Sequence, residues 1–137
     1  MITVVSEDIK KIVQFSNLSK LEGKTIFISG AAGFLGSYFI AVFQHLNSSV
    51  FKKPCKVFAI DNFITGSKNN LLVPIKDRNI LFKNLDISKG MGRFKNEKID
   101  YIIHAAGLAS PIYYRKYPVA SINCTVLGLH HLMQYAY

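Results

Sequence analysis

Three glycines and one carboxylate are the residues whose types and spacing point to a chemistry. Gly30, Gly33 and Gly36 recur every third position in Gly30-Ala31-Ala32-Gly33-Phe34-Leu35-Gly36. A residue without a Cβ lets a pyrophosphate approach the main chain, and a helix that starts there offers free N–H groups and the positive end of its dipole. Asp61 lies 25 positions beyond Gly36. A carboxylate at a strand tip accepts hydrogen bonds from both hydroxyls of an adenosine ribose and repels a 2′-phosphate. Together these residues predict a dinucleotide site that takes NAD rather than NADP.

The chemistry requires a strand, a turn and a helix in that order. Thr25 to Ser29 is an apolar, β-branched run that reads as a buried parallel strand. Leu35, Phe39, Val42, Phe43 and Leu46 follow at helical spacing. Gly30 then permits the sharp exit from the strand, Gly33 bares the phosphate approach, and Gly36 lets the helix pack tightly on the sheet. Ala32 stands where the commoner G-x-G-x-x-G pattern has its middle glycine.

Lys56 to Asp61 reads as a second buried strand; an inserted loop at 47–55 delays its acid beyond the usual spacing of about 20. Ile80 to Leu85 and Ile99 to Ile103 read as a third and a fourth strand. Asp86 follows the third as a loop residue or helix cap. The polar stretch 90–98 is short and glycine-broken, which does not favour a full helix. Small residues after the fourth strand, Ala105, Ala106 and Gly107, let a cofactor lie against backbone. Pro118 suits a first helical position, and Ile122, Val126, Leu129, Leu132 and Met133 form a stripe running to the chain's end.

The expected fold is α/β, a Rossmann-type parallel sheet in the order 3-2-1-4 with flanking helices. Its fourth strand is an open edge that favours association. Residues 1–22 form an N-terminal extension with a short helix: Ser6 is its N-cap, Glu7 and Asp8 lie in its first turn, and Ile9, Ile12, Val13 and Phe15 make its apolar face. Residues 23–137 form the dinucleotide-binding portion.

Composition narrows the classes. Half of the 137 residues are apolar, which suits one packed domain. The formal charge is +9, but the lysines are scattered through loops and termini with no basic helix face. That is a solvated basic surface that attracts an anionic ligand, not a nucleic-acid interface. Cys55 and Cys124 have no metal-like spacing and fit free thiols in a reducing cytoplasm. No signal peptide or membrane-spanning run is expected. His104 reads as a strand-end residue supporting its turn. The adjacent His130 and His131 point about 100° apart on a helix, so they form no i, i+4 metal pair; no metal site is expected.

The G-x-x-G-x-x-G spacing resembles the extended short-chain dehydrogenase/reductase family of NAD-dependent epimerases, dehydratases and decarboxylases. Asp61-Asn62-Phe63-Ile64-Thr65-Gly66-Ser67 is similar to the D-N-x-x-T-G segment of its UDP-glucuronate decarboxylase branch. That resemblance implies that Asn62, Thr65, Gly66 and Ser67 lie near the adenosine ribose and phosphates. It also implies that Asp86 bonds the adenine amino group with help from the backbone of Ile87. The run from His104 to Pro118 is similar to H-L-A-S-P-A-S-P-x-x-Y-x-x-x-P of the same branch, with Gly107 and Leu108 in place of Ser and Pro. In the helix after it, Thr125 and Leu129 replace the Asn and Thr of the family's N-x-x-G-T.

The resemblance implies a nucleotide-sugar substrate oxidised at C4, with decarboxylation, epimerisation or dehydration to follow. The family's base is a Tyr with a Lys four residues later, and no tyrosine that can be tested here has that partner. The expectation is therefore a cofactor-binding half with no catalytic residue of its own, or a non-catalytic NAD-binding module. Relatives that dimerise through the helix at 118–137 imply a homodimer contact there.

Overall fold

The computed structural model describes residues 2–136, apart from the side chains of Ile2, Thr3 and Lys68. Strands β1 (Thr25–Ser29), β2 (Lys56–Asp61), β3 (Ile80–Asn84) and β4 (Tyr101–His104) form one sheet in the order β3-β2-β1-β4. Every pairing is parallel, with Phe27 opposite both Phe58 and Ile102. The expected fold class and strand order are those observed.

The side chains of β1 and β2 alternate between two covered faces, which is why these strands read as continuous apolar runs, whereas β3 and β4 are largely exposed or half-buried. On one face Ile26, Ile28, Val57 and Ala59 meet helix α2 (Phe34–Ser49) through Ile40, Phe43 and Leu46. Helix α1 (Ile2–Phe15) lies against α2 and adds Val5 and Ile9 to this layer. On the other face Phe27, Phe58 and Ile60 meet Ile87, Met91, Phe94 and Leu132. The Phe94 ring stands edge-on to Phe27 at 5.7 Å and tilted against Phe58 at 4.9 Å. Leu132 belongs to helix α4 (Pro118–Ala136), which follows the short α3 (Pro111–Lys116).

Several sequence expectations need correction. Helix α1 begins at Ile2, so Ser6 sits inside it and caps nothing. Its inward face is Val5, Ile9 and Val13, at four-residue spacing; Ile12 and Phe15 point outward, Phe15 with 82% of its surface exposed. The fourth strand starts at Tyr101, not Ile99, because Asp100 is used up at the entrance to β1. Its N–H donates to the Thr25 carbonyl at 2.9 Å, and its carboxylate accepts the Thr25 N–H at 2.8 Å. The apolar stripe of α4 is two faces: Leu132 is buried, whereas Ile122, Val126, Leu129 and Met133 face outward. Tyr137 lies outside the described residues.

The insertion before β2 is shorter than expected, since α2 runs to Ser49. Asn47 clamps it, accepting the Cys55 N–H at 2.7 Å and donating to the Cys55 carbonyl at 3.0 Å. No helix among the described residues is long and apolar enough to cross a membrane.

Candidate functional site: a crevice at the carboxyl ends of the strands

The glycine turn joins β1 to α2. Gly30 has φ +74°, and a Cβ on it would come within 2.5 Å of the Ala105 carbonyl oxygen. A left-handed backbone and a close neighbour strand both demand glycine there. A Cβ at Gly36 would strike the backbone of Gly30 and Ala31. Gly36 thus lets the helix close on the turn itself rather than on the sheet.

Inside the turn the amides are spent on the protein. Ala31 donates to the Ile60 carbonyl at 3.0 Å, Ala32 to Asp61 Oδ2 at 2.9 Å, and Gly33 to the Gly30 carbonyl at 3.1 Å. The next amides are not. The N-cap of α2 is Gly33, which has no capping side chain, and the first helix bond is Ser37 N–H to the Gly33 carbonyl. The N–H groups of Phe34, Leu35 and Gly36 find no acceptor among the described residues. A helix start left this way is a ready donor set for an anion.

Asp61 is the second anchor. Besides the Ala32 amide, its carboxylate accepts the Phe63 N–H on Oδ1 at 2.8 Å. Each oxygen keeps a further lone-pair direction, so the group is fixed in place and can still accept from a ligand. The strand-end acid therefore caps its own turn and ties β2 to the glycine turn at once.

These parts border an open crevice at the carboxyl ends of the strands. Of the sequence-predicted residues, Gly30, Gly33, Asp61, Asn62, Thr65 and Gly66 line one side. Ile87, Ala105, Ala106 and Gly107 line the other. Ala32, Phe34, Leu35 and Gly36 are not among the lining residues: Ala32 gives its amide to Asp61, and the Phe34 and Leu35 side chains are exposed. Ser67 and Asp86 are not brought into the crevice. The Ser67 hydroxyl takes the Asn69 N–H at 3.2 Å. Asp86 caps a short turn, its Oδ1 accepting the N–H and hydroxyl of Ser88 at 3.0 and 2.7 Å.

Sequence reasoning missed Ser29, Ala120 and Cys124, which also line the crevice. The signal was there in part: Ala120, Cys124 and Gly128 are small and four residues apart, one face of α4. At Gly128 a Cβ would lie 2.9 Å from Ile87 Cγ2, so that face closes tightly. Burial pushes the Cys124 thiol up, and the Asp86 and Asp61 carboxylates add to the shift. Beneath the crevice, Ser29 Oγ and His104 Nδ1 are 2.6 Å apart, joining the ends of β1 and β4. Burial holds the His104 imidazole below its ordinary value, opposed by a bond to the backbone of Cys124. The bonds His104 makes run to β1 and α4 rather than to the turn that follows it. His131 instead bonds the Ile87 carbonyl through Nδ1 at 3.0 Å.

The donor set fits a dinucleotide's double phosphate. A Cβ at Gly33 would meet only the Gly30 oxygen, at 3.2 Å. It would otherwise stand in open crevice, in the space a phosphate needs.

Residues 26–137 match the sequence model of the NAD-dependent epimerase/dehydratase family. UDP-glucuronic acid decarboxylase 5 of Arabidopsis thaliana is 32% identical over 108 residues, covering 79% of this chain and 29% of that protein. UDP-glucuronic acid decarboxylase 1 of Danio rerio is 30% identical over 116 residues, covering 85% and 25%. Among solved structures, the dTDP-glucose 4,6-dehydratase DesIV of Streptomyces venezuelae, with NAD bound, superposes with a TM-score of 0.67 at 25% identity. That match covers 82% of this chain and 35% of the other. The chain thus spans less than a third of the length of these curated relatives.

Proposed function

Because the chain belongs to the NAD-dependent epimerase/dehydratase family, we propose that residues 23–137 are the NAD-binding portion of a nucleotide-sugar-modifying enzyme. UDP-glucuronate decarboxylation is the reaction we favour within the family, on the similarity to the decarboxylases. The observation that carries the cofactor assignment is the pairing of three unclaimed helix amides over a bare Gly33 with a fixed carboxylate at the tip of the next strand.

In this reading the amides of Phe34, Leu35 and Gly36 bind the pyrophosphate. Asp61 accepts from the adenosine ribose hydroxyls and excludes a 2′-phosphate. Asn62, Thr65 and Gly66 wall the adenosine side; the backbone of Ile87 faces the adenine; Ala105, Ala106 and Gly107 keep the opposite wall flat. NAD, when bound, supplies the hydride acceptor that turns a sugar C4 hydroxyl into a ketone and then returns the hydride. Water exclusion falls to Ile60, Ile64 and Leu85, which line the crevice with apolar surface.

The chain's 137 residues contain no Tyr-x-x-x-Lys pair. A second reading is a module that binds NAD without turning over a sugar. Sequence downstream of Tyr137 separates the two. The outward stripe of α4 supports a homodimer through that helix in a cytoplasmic protein; light scattering that finds only monomer at high concentration would count against it.

Calorimetric titration tests the reading. NAD binds, NADP binds more weakly, and Asp61→Ala weakens NAD by about tenfold or more. NADP binding as tightly as NAD would remove the role given to Asp61.

A further inference from the structure

The loop after Asp61 contains a backbone oddity that the cofactor reading does not use. Phe63 has φ +58° and is the non-glycine residue with positive φ among those described. A bulky side chain disfavours that left-handed conformation, and such a residue persists only where its surroundings fix it. The fixing group is visible. The Phe63 ring stacks on Phe82 of β3, with centroids 5.9 Å apart and planes 22° from parallel. Phe63 is not among the residues lining the crevice.

The left-handed turn has two consequences. Where it begins, the Phe63 N–H donates to Asp61 Oδ1, 2.8 Å away, which fixes the carboxylate together with the Ala32 amide. It also sends the chain back across the glycine turn: Ile64 N–H bonds Asn62 Oδ1 at 3.2 Å, and a Cβ on Gly66 would lie 3.0 Å from the Ala32 Cβ. With the ring held on Phe82, rotation to an ordinary φ would swing the peptide before Phe63, and its N–H, away from Asp61; with Asp61 held, it would carry Gly66 off the turn.

We propose that Phe63 is a positioning residue for the dinucleotide site, its ring locked on Phe82 so that its backbone orients Asp61 and the 62–66 wall. The proposal rests on the NAD reading above for its effect on binding, but its effect on Asp61 is independent of any ligand. Glycine adopts positive φ freely, whereas alanine does not. The ring and the backbone angle can therefore be separated by substitution.

The test compares Phe63→Gly, Phe63→Ala and Phe82→Ala with the parent chain, by NAD calorimetry and by exchange of the Ala32 and Phe63 amides without ligand. Phe63→Ala and Phe82→Ala should weaken NAD by about tenfold and speed exchange of both amides. Phe63→Gly, which loses the same ring, should stay within about threefold of the parent and keep both amides protected. Glycine and alanine variants that bind and exchange alike would overturn the proposal, because the ring alone would then matter. A parent chain that binds no NAD would overturn the function reading, while the amide exchange would still decide what Phe63 does to Asp61.

Discussion

On one face of the sheet, α2 lays Ile40, Phe43 and Leu46 across Ile26, Ile28, Val57 and Ala59; on the other, Ile87, Met91, Phe94 and Leu132 cover Phe27, Phe58 and Ile60. The first cover comes mainly from one helix that begins at the glycine turn. The second is gathered from segments far apart in the chain and fastened by polar ties. Ser29 bonds His104, His131 bonds the Ile87 carbonyl, and the Tyr135 hydroxyl bonds the Glu97 carbonyl. The contrast teaches that the two walls of the crevice have different sensitivities. The glycine-turn wall depends on steric fit, and the wall under α4 depends also on hydrogen bonds that a proton can alter.

The largest effect that sharpens this contrast is expected at Gly36. A valine there drives a Cβ into the backbone of Gly30 and Ala31, where nothing flexible can give way. Gly36→Val should cost on the order of 4 kcal/mol in urea unfolding. A loss below about 1 kcal/mol would mean that the turn has slack.

Next comes a matched pair of leucines. Leu46 is 1% exposed on the aliphatic face and Leu132 is 2% exposed on the aromatic face. Leu46→Ala should cost about 4 kcal/mol, and Leu132→Ala about 2–3 kcal/mol, because α4 is covered on one side alone and can settle into the void. Equal losses, or the reverse order, would break the comparison between the faces.

A smaller effect depends on pH. Burial, opposed by a bond to the Cys124 backbone, keeps His104 neutral in the fold below the ordinary histidine value. In the unfolded chain it takes up a proton near pH 6.5. Below that pH the unfolded state holds more protons, so stability falls as the pH drops, until the folded pKa is reached. Urea unfolding from pH 8 to pH 5 should therefore show a slope that His104→Gln flattens. An unchanged profile would remove His104 from the fastening of the second face. The smallest effect belongs to the outward side of α4, where Val126 is 58% exposed. Val126→Ala should stay within about 0.5 kcal/mol of the parent in the monomer.

The same contrast explains what the sequence disclosed. β1 and β2 were legible to the residue because both are continuous apolar runs bounded by polar or glycine residues. The glycine turn was legible because three residue identities report one geometry. The cover of the second face was not: Met91 and Phe94 lie in a glycine-broken stretch without periodicity, and Leu132 shared its stripe with residues that face outward. Asp61 could be placed at its strand tip, but not its grip on the Ala32 amide, which depends on how a turn 29 residues earlier sits in space. Phe63 itself does not signal a left-handed backbone: the usual markers, asparagine and glycine, stand beside it at 62 and 66. The small residues Ala120, Cys124 and Gly128 show that a second crevice wall could have been read from spacing.

Whether a double phosphate lies against the amides of Phe34, Leu35 and Gly36 is read most directly from amide chemical shifts followed while NAD is added. Gly33 to Gly36 and Asn62 to Gly66 should move together and saturate at one affinity, while Val126, Leu129 and Met133 stay still. Shifts confined to the outer face of α4, or a glycine turn unmoved at saturating NAD, would contradict that placement.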